Sequence, residues 1–71
     1  MSAAPSLIDR AEQFERLAQQ SRRRAEFLRE SAESGTGGAT RSRLNAQATE
    51  EDEAAQAFEA RAKQLREKAK A

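Results

Sequence analysis

Small and apolar residues recur at alternating intervals of four and three along two long stretches of this 71-residue chain. The segment SGTGG, residues 34–38, separates the two stretches. Such spacing draws one continuous stripe along an α-helix and is typical of a coiled-coil seam. The pattern therefore predicts two helices with one packing seam each. The first seam comprises Leu7, Ala11, Phe14, Ala18, Ser21, Ala25, Leu28 and Ala32, and the second comprises Leu44, Ala48, Glu51, Ala55, Phe58, Ala62, Leu65 and Ala69.

The two seams match when the chain folds back at its glycines. A leucine then faces a leucine near both ends, Phe14 faces Phe58, and alanines face alanines in the layers between. Alanine layers allow two helices to approach closely. The predicted fold class is all-α, an antiparallel two-helix hairpin in the form of an alanine-rich coiled coil. One layer is polar, because Ser21 lies opposite Glu51. This layer either fixes the register at some cost in stability, or Glu51 bends out to water or to an arginine.

Capping signals set the outer limits of the helices. Ser6 can accept a hydrogen bond from the backbone amides ahead of it, and Asp9 lies in the first turn, where the helix dipole favours an acid. Gly35 can adopt the left-handed conformation that closes a helix. We predict a disordered segment at residues 1–5 and one hairpin domain at residues 6–71. Within that domain we expect a helix at 6–34, a turn at 35–39 and a helix at 40–69.

Two signals compete for the start of the second helix. Thr36 or Thr40 could cap it just after the glycines, whereas Thr49 in the segment TEEDE would cap a later start. A late start would discard the match of Leu44 and Ala48 with the first seam. The periodicity therefore favours the early start.

Composition limits how such a hairpin can be stabilised. Sixteen of the apolar residues are alanine, so the core is thin. Chains below about 70–80 residues usually add disulfides, a metal or a second copy of themselves. The chain has no cysteine and no histidine, which removes the first two routes. We therefore expect a homodimer that forms a four-helix bundle, or docking on a larger protein.

The same composition narrows the functional class. There is no apolar run of the length that a secretory signal or a membrane span needs, so we expect a cytoplasmic protein. The preference for arginine over lysine, with abundant alanine, suggests a bacterial source. Without histidine, cysteine or tyrosine, the chain has no assembled acid, base or nucleophile pair. We expect no enzymatic activity, cofactor, metal or small-molecule substrate.

One flank of the predicted hairpin is poor in acidic residues. Leu17 and Phe27 lie there among amides and basic side chains, a composition that resembles an interface. The alternative is an ordinary solvated surface. We predict a partner-binding site in which Leu17 and Phe27 are apolar anchors and the basic residues attract an acidic partner or pair with its carboxylates. The predicted site consists of Arg10, Gln13, Leu17, Gln20, Arg24, Phe27, Ala54, Ala57, Arg61 and Lys68.

The other flank carries charges of both signs that can pair across the hairpin. Exposed pairs of this kind are each worth only about 0–1 kcal/mol, but together they favour one way of folding. The residues concerned are Glu15, Arg22 and Arg29 on the first helix and Asp52, Glu59 and Arg66 on the second.

The function predicted from these features is a non-enzymatic protein-binding module, such as a small regulator, inhibitor or assembly factor. The alternative is nucleic-acid binding, in which Arg24, Arg29, Arg41 and Arg43 contact phosphates. The alternation of alanine with leucine or phenylalanine over residues 7–32 and 44–69 resembles the layout of the Rop family of plasmid RNA-binding hairpins. Members of that family pair into four-helix bundles. The resemblance implies a dimeric RNA- or DNA-binding regulator as this alternative, and it covers layout without a shared motif.

Overall fold

Two α-helices packed side by side form the whole of the described structure. The computed structural model describes residues 5–35 and 37–71. Helix α1 spans Leu7–Glu33 and helix α2 spans Gly38–Lys70, and ion pairs between them show that they run antiparallel. The predicted all-α hairpin is confirmed. Of the segment predicted to be disordered, residues 1–4 lie outside the described residues.

The ends of α1 follow the local sequence signals. The Ser6 hydroxyl accepts a hydrogen bond from the Asp9 amide at 3.0 Å, and the Asp9 carboxylate accepts one from the Ser6 amide at 3.4 Å. This reciprocal capping box satisfies amides that the first turn leaves unpaired. At the other end, Ser34 is the C-cap and Gly35 has a φ of 89°, the left-handed conformation expected of a glycine after a helix. The predicted limits, residues 6 and 34, are thus the two capping residues.

Helix α2 begins earlier than predicted. Its N-cap is Gly37, whose backbone is extended (φ −63°, ψ 159°), and the helix starts at Gly38 rather than at residue 40. Thr40 lies inside the helix, so its predicted capping role is wrong, and Thr36 lies outside the described residues. The late start at Thr49 is also excluded, because the Thr49 hydroxyl donates to the Asn45 carbonyl at 3.1 Å, the bond of a threonine within a helix.

Arg41 in the first turn of α2 connects the two helices near the loop. Its Nε donates a hydrogen bond to the Ala32 carbonyl at 3.1 Å. The last turn of α1 contains no basic residue of its own. The guanidinium therefore supplies the positive charge that the carbonyl end of a helix dipole favours.

The alanines of the two seams are the tightly packed part of the hairpin. Each is at most 3% exposed, which confirms that the helices approach each other along this line. The buried alanines are Ala11, Ala18, Ala25, Ala32, Ala48, Ala55 and Ala62. Ala69 is exposed, so its predicted place in the seam is wrong. Leu65 packs with Leu7 at the start of α1, and α2 continues to Lys70, beyond the level at which α1 begins.

The large seam residues are less buried than the alanines. Phe14 and Phe58 meet as predicted, with ring centroids 6.1 Å apart and planes inclined by 30°. Even so, both rings are only half-buried, as are Leu7, Leu28 and Leu44, whereas Leu65 is 2% exposed. The closest packing in the hairpin thus comes from its smallest seam residues.

Across residues 5–35 and 37–71, neither helix has a stretch apolar enough, over sufficient length, to cross a bilayer.

Candidate functional site

The two sides of the hairpin differ in character, and ion pairs occupy one of them. Glu15 accepts two hydrogen bonds from the Arg66 guanidinium, at 2.7 and 2.8 Å. Further along the same side, Arg22 pairs with Glu59 and Arg29 pairs with Asp52. The predicted pairing across this flank is confirmed. We call it the ion-paired side, comprising Glu15, Arg22, Arg29, Asp52, Glu59 and Arg66.

The pair between Glu15 and Arg66 perturbs both groups. Hydrogen bonding from Arg66 lowers the pKa of the Glu15 carboxyl below its usual value, and the same contact raises the pKa of Arg66. Both side chains are about two-fifths exposed (41%), so solvent weakens the attraction. The main effect of the three ion pairs is to fix the register of the two helices, because a shift of either helix would break all three pairs together.

The large seam residues lie on the opposite side of the hairpin. Leu28 borders a groove together with Arg24 and Phe27, whereas Ala32 and Ala62 border hollows lined by ion-paired residues. Residues seven apart on a coiled-coil helix share the same side. The half-buried leucines and phenylalanines therefore share the side of Leu28. We call this side the open face, comprising Leu7, Phe14, Leu28, Leu44 and Phe58 with the neighbouring Leu17 and Phe27.

The open face exposes more apolar surface than its charged surroundings suggest. Phe27 is 67% exposed and Leu17 is 40% exposed. They extend the half-buried seam residues into one apolar strip, and strips of this kind mark interaction sites more often than single exposed residues do. A third exposed apolar residue, Ile8, lies in the first turn of α1, seven residues before Glu15 and therefore on the ion-paired side.

A groove of about 340 Å³ interrupts the open face at the polar layer. Ser21, which faces Glu51 in this layer, is 3% exposed. Glu51 is half-buried, and its carboxylate lies 3.5 Å from Nη1 of Arg24. Of the two alternatives for this layer, the structure shows Glu51 turned towards an arginine. The groove is lined by Arg24, Phe27, Leu28, Gln47, Glu50 and Glu51.

The predicted partner-binding residues are nearly all exposed. Only Ala54 is half-buried. Arg24 and Phe27 share the groove, and Nη1 of Arg61 donates to the Gln64 side chain at 3.4 Å. Lys68 borders a separate hollow near the chain end, away from the groove. The exposed residues of the predicted site are Arg10, Gln13, Leu17, Gln20, Arg24, Phe27, Ala57, Arg61 and Lys68.

Sequence reasoning missed that the large seam residues themselves belong to this face. The groove residues Gln47, Glu50 and Glu51 were also absent from the predicted site. The spacing of the large residues in the sequence could have placed both sets of residues on this face. In an antiparallel hairpin, large residues that face each other in every second layer lie on one common side of the seam.

Three of the four arginines predicted for phosphate contact already have protein partners. Arg29 pairs with Asp52, Arg24 lies beside Glu51, and Arg41 donates to a backbone carbonyl. Arg43 is exposed. Phosphate binding by this set would therefore compete with contacts inside the hairpin.

Within the described ranges, 5–35 and 37–71, the acidic side chains form no group of three or more that could hold a metal ion. In comparisons with known proteins, no family model, curated protein or solved structure matches the chain.

Proposed function

We propose that this chain is a non-enzymatic protein-binding module that acts through the open face. The observation that carries the proposal is the concentration of exposed and half-buried large apolar residues on the open face. Five apolar seam residues are half-buried, and Leu17 and Phe27 are exposed next to them. The ion-paired side, in contrast, already satisfies its charges within the hairpin.

Physical reasoning about layers supports an association through this face. Stable domains consist of at least two packed layers, because each element has to bury an apolar stripe against another. The hairpin measures 52 by 25 by 12 Å. Its smallest dimension equals the thickness of a single layer of helices. Half-buried leucine and phenylalanine side chains gain their remaining burial only when a second layer covers them.

The charges around the open face bear on which partners it accepts. Arg10, Arg24 and Arg61 are exposed beside the apolar strip, whereas the acids of the groove are Glu50 and Glu51. Basic groups at the rim of an interface increase the rate of encounter with an acidic surface more than they increase the final affinity. Association through an apolar centre should therefore persist at high salt.

The biological role that fits these features is a small bacterial, cytoplasmic regulator, inhibitor or assembly factor. A homodimeric four-helix bundle is the form of association that we favour, with a larger protein as the other possibility. Both would bury the same seven apolar residues. The role requires no bound cofactor, since the proposed activity is association alone.

Site-specific photo-crosslinking in the native cell tests the proposal. A photoreactive amino acid at Leu17 should form covalent adducts with protein. The same probe at Gln19, an exposed residue two positions away that does not belong to the open face, is the matched control. Adducts at Leu17 but not at Gln19 are the expected result. Equal labelling at both positions, or none at Leu17, would refute binding through the open face.

A salt titration separates this function from nucleic-acid binding. Phosphate contacts weaken steeply as salt rises, because binding releases counterions from the nucleic acid. A protein contact with an apolar centre changes little over the same range. Tight RNA or DNA binding by the purified chain, with a steep salt dependence that becomes shallower by about one phosphate contact in an Arg43→Ala variant, would favour the alternative function.

A further inference from the structure

We propose that the occupant of the open face is a second copy of this chain, related by a two-fold axis perpendicular to the helices. In this arrangement α1 packs on the α1 helix of its partner, and α2 packs on the partner's α2. The inference rests on the proposed function and deepens it by naming the partner and its orientation.

The spacing of the large layers is the first argument. They recur every seven residues, or about 10.5 Å at 1.5 Å per residue. The layers between them contain alanines, which are buried in the hairpin's own seam. The open face is therefore ridged, with a gap of about one side-chain layer after each ridge. The ridges are formed by Leu7, by Phe14 with Phe58, and by Leu28 with Leu44. The groove, which Glu51 and Leu28 help to line, lies between the second and third ridges.

A two-fold axis parallel to the helices would bring each ridge against the same ridge of the second copy. The gaps would then coincide, and the centre of the bundle would contain a row of voids. Protein interiors are packed too densely to leave such voids without loss of stability. A perpendicular axis reverses the order of the layers in the second copy, so ridges can enter gaps.

The perpendicular axis also fits the lengths of the helices. For ridges to enter gaps, one copy has to be displaced along the helix axes by half of the 10.5 Å repeat, which is about 5 Å. The axis then crosses α1 near residues 19–20 and α2 near residues 52–53. Both positions lie within about two residues of the helix midpoints, given bounds of Leu7–Glu33 and Gly38–Lys70. Nearly the whole open face is therefore covered in the register that interleaves the ridges.

The positions of the charged residues also favour the perpendicular axis over the parallel one. With a parallel axis, Arg10 would face the partner's Arg61 at the same level, and like charges directly opposite each other are destabilising. With the perpendicular axis, Arg10 comes level with the partner's Leu28, within about two residues of the exposed ring of the partner's Phe27. An arginine over an aromatic face is attracted by the ring quadrupole. This arrangement gives the most exposed apolar residue of the face a favourable neighbour.

The polar layers meet only near the centre of this bundle. The Ser21–Glu51 layer of one copy becomes the neighbour of the same layer in the other. Each Glu51 also keeps Arg24 of its own chain within 3.5 Å. A polar layer of this kind favours the register in which polar groups face polar groups over registers that bury a carboxylate between apolar layers.

The size of the face is sufficient for a stable homodimer. The broad side of the hairpin has an outline of at most about 1,300 Å², from extents of 52 and 25 Å, which leaves room for the roughly 800 Å² per partner that a standard interface buries. The second copy presents an identical face, so no other protein has to be supplied. Sedimentation equilibrium of the full chain should give about 16 kDa, twice the 7.9 kDa of one chain, from micromolar concentrations upward.

Cysteine crosslinking tests the orientation, because the natural chain contains no cysteine. Gln20→Cys lies close to the proposed axis on α1, and Ala54→Cys lies close to it on α2. Each variant should form a disulfide-linked homodimer under mild oxidation. Gln19→Cys is the matched control for the first variant. It replaces an adjacent glutamine that is also exposed but lies away from the open face, and it should remain monomeric on a non-reducing gel.

A charge variant provides a second, independent readout. Leu17 lies within the covered face, about level with the Ser21 layer of the partner, so Leu17→Lys would bury a charge in the interface and should shift the chain to the monomer. Lysine has a good helix propensity, and circular dichroism should show that the hairpin remains helical. Gln19→Lys adds the same charge away from the open face and should leave the dimer intact.

Three results would overturn the inference, and two of them leave the proposed function standing. A chain that stays monomeric up to millimolar concentration excludes the second copy, while photo-crosslinks at Leu17 to a larger protein would still support protein binding. A dimer that links a Leu17→Cys chain to an Ala54→Cys chain, but never links two Gln20→Cys chains, has the parallel axis instead. A dimer linked through Gln19→Cys uses the wrong side, and both proposals then fail.

Discussion

Enlarging one buried alanine should separate close helix packing from mere proximity of two helices. Ala55 is completely buried, and Ala18 opposite it is 3% exposed. Leucine at position 55 introduces three further carbon atoms where two backbones approach each other, so either the helices separate or side chains leave their preferred rotamers. Overpacking of this type costs about 1–3 kcal/mol. A domain of this size has a total stability of roughly 4–11 kcal/mol, at about 0.05–0.15 kcal/mol per residue.

Thermal unfolding followed by circular dichroism measures this loss. For domains of 60–100 residues, each kcal/mol shifts Tm by about 4–8 °C, so Ala55→Leu should lower Tm by roughly 4–24 °C. Ala60→Leu is the matched control, since Ala60 is an exposed alanine on the same helix and should change stability by no more than about 0.5 kcal/mol. Both variants have to be compared at one protein concentration, because self-association adds to the measured stability. Equal Tm values for the two variants would refute the close alanine seam.

Three further predictions concern the caps, the loop and an ion pair. Ser6→Ala removes the side-chain cap of α1 and should reduce the free energy of unfolding in urea by about 1 kcal/mol; an unchanged midpoint would contradict the capping box. Gly35→Ala should destabilise by about 1–2 kcal/mol, because its φ is 89°, whereas Gly38→Ala in the first turn of α2 should stabilise by about 0.4–1 kcal/mol. Arg66 lowers the pKa of Glu15 from its ordinary value of 4.5. The contribution of this ion pair to the free energy of unfolding is present at neutral pH and is lost as pH falls through the lowered pKa of Glu15. Glu15→Gln should therefore lose less stability than the natural chain on acidification below about pH 4.5, and identical pH profiles would exclude the effect.

Much of this fold could be predicted from periodicity, because two matched seams leave few ways to bury them. The meeting of Phe14 with Phe58 and the early start of α2 both followed from the register of the seams. The capping residue of α2 could not be predicted from side chains, since Gly37 acts through an extended backbone and contributes no side-chain bond. The exposure of Ala69 depends on where α1 begins, which is a property of the other helix.

The candidate site was harder to predict than the fold. Exposed Leu17 and Phe27 could be found from the composition of one flank. From the sequence, the half-buried seam residues are expected to be ordinary core residues. The structure shows that the alanines fill the line of contact between the helices, and that the large residues lie to one side of this line, away from the ion pairs. Sequence periodicity describes a seam as a single line of residues. When small and large residues alternate in the seam, the small ones lie towards one side of the hairpin and the large ones towards the other.

The three ion pairs across the hairpin also imply an order of folding. Arg29 and Asp52 are 23 residues apart in the chain, Arg22 and Glu59 are 37 apart, and Glu15 and Arg66 are 51 apart. Loop-closure entropy increases with the logarithm of length, so the outermost pair costs about 0.7 kcal/mol more to close directly than the innermost one. The contacts nearest the glycine turn should therefore form first, each shortening the search for the next. On unfolding, the two termini should separate first, and their amides should exchange hydrogen before those beside the turn.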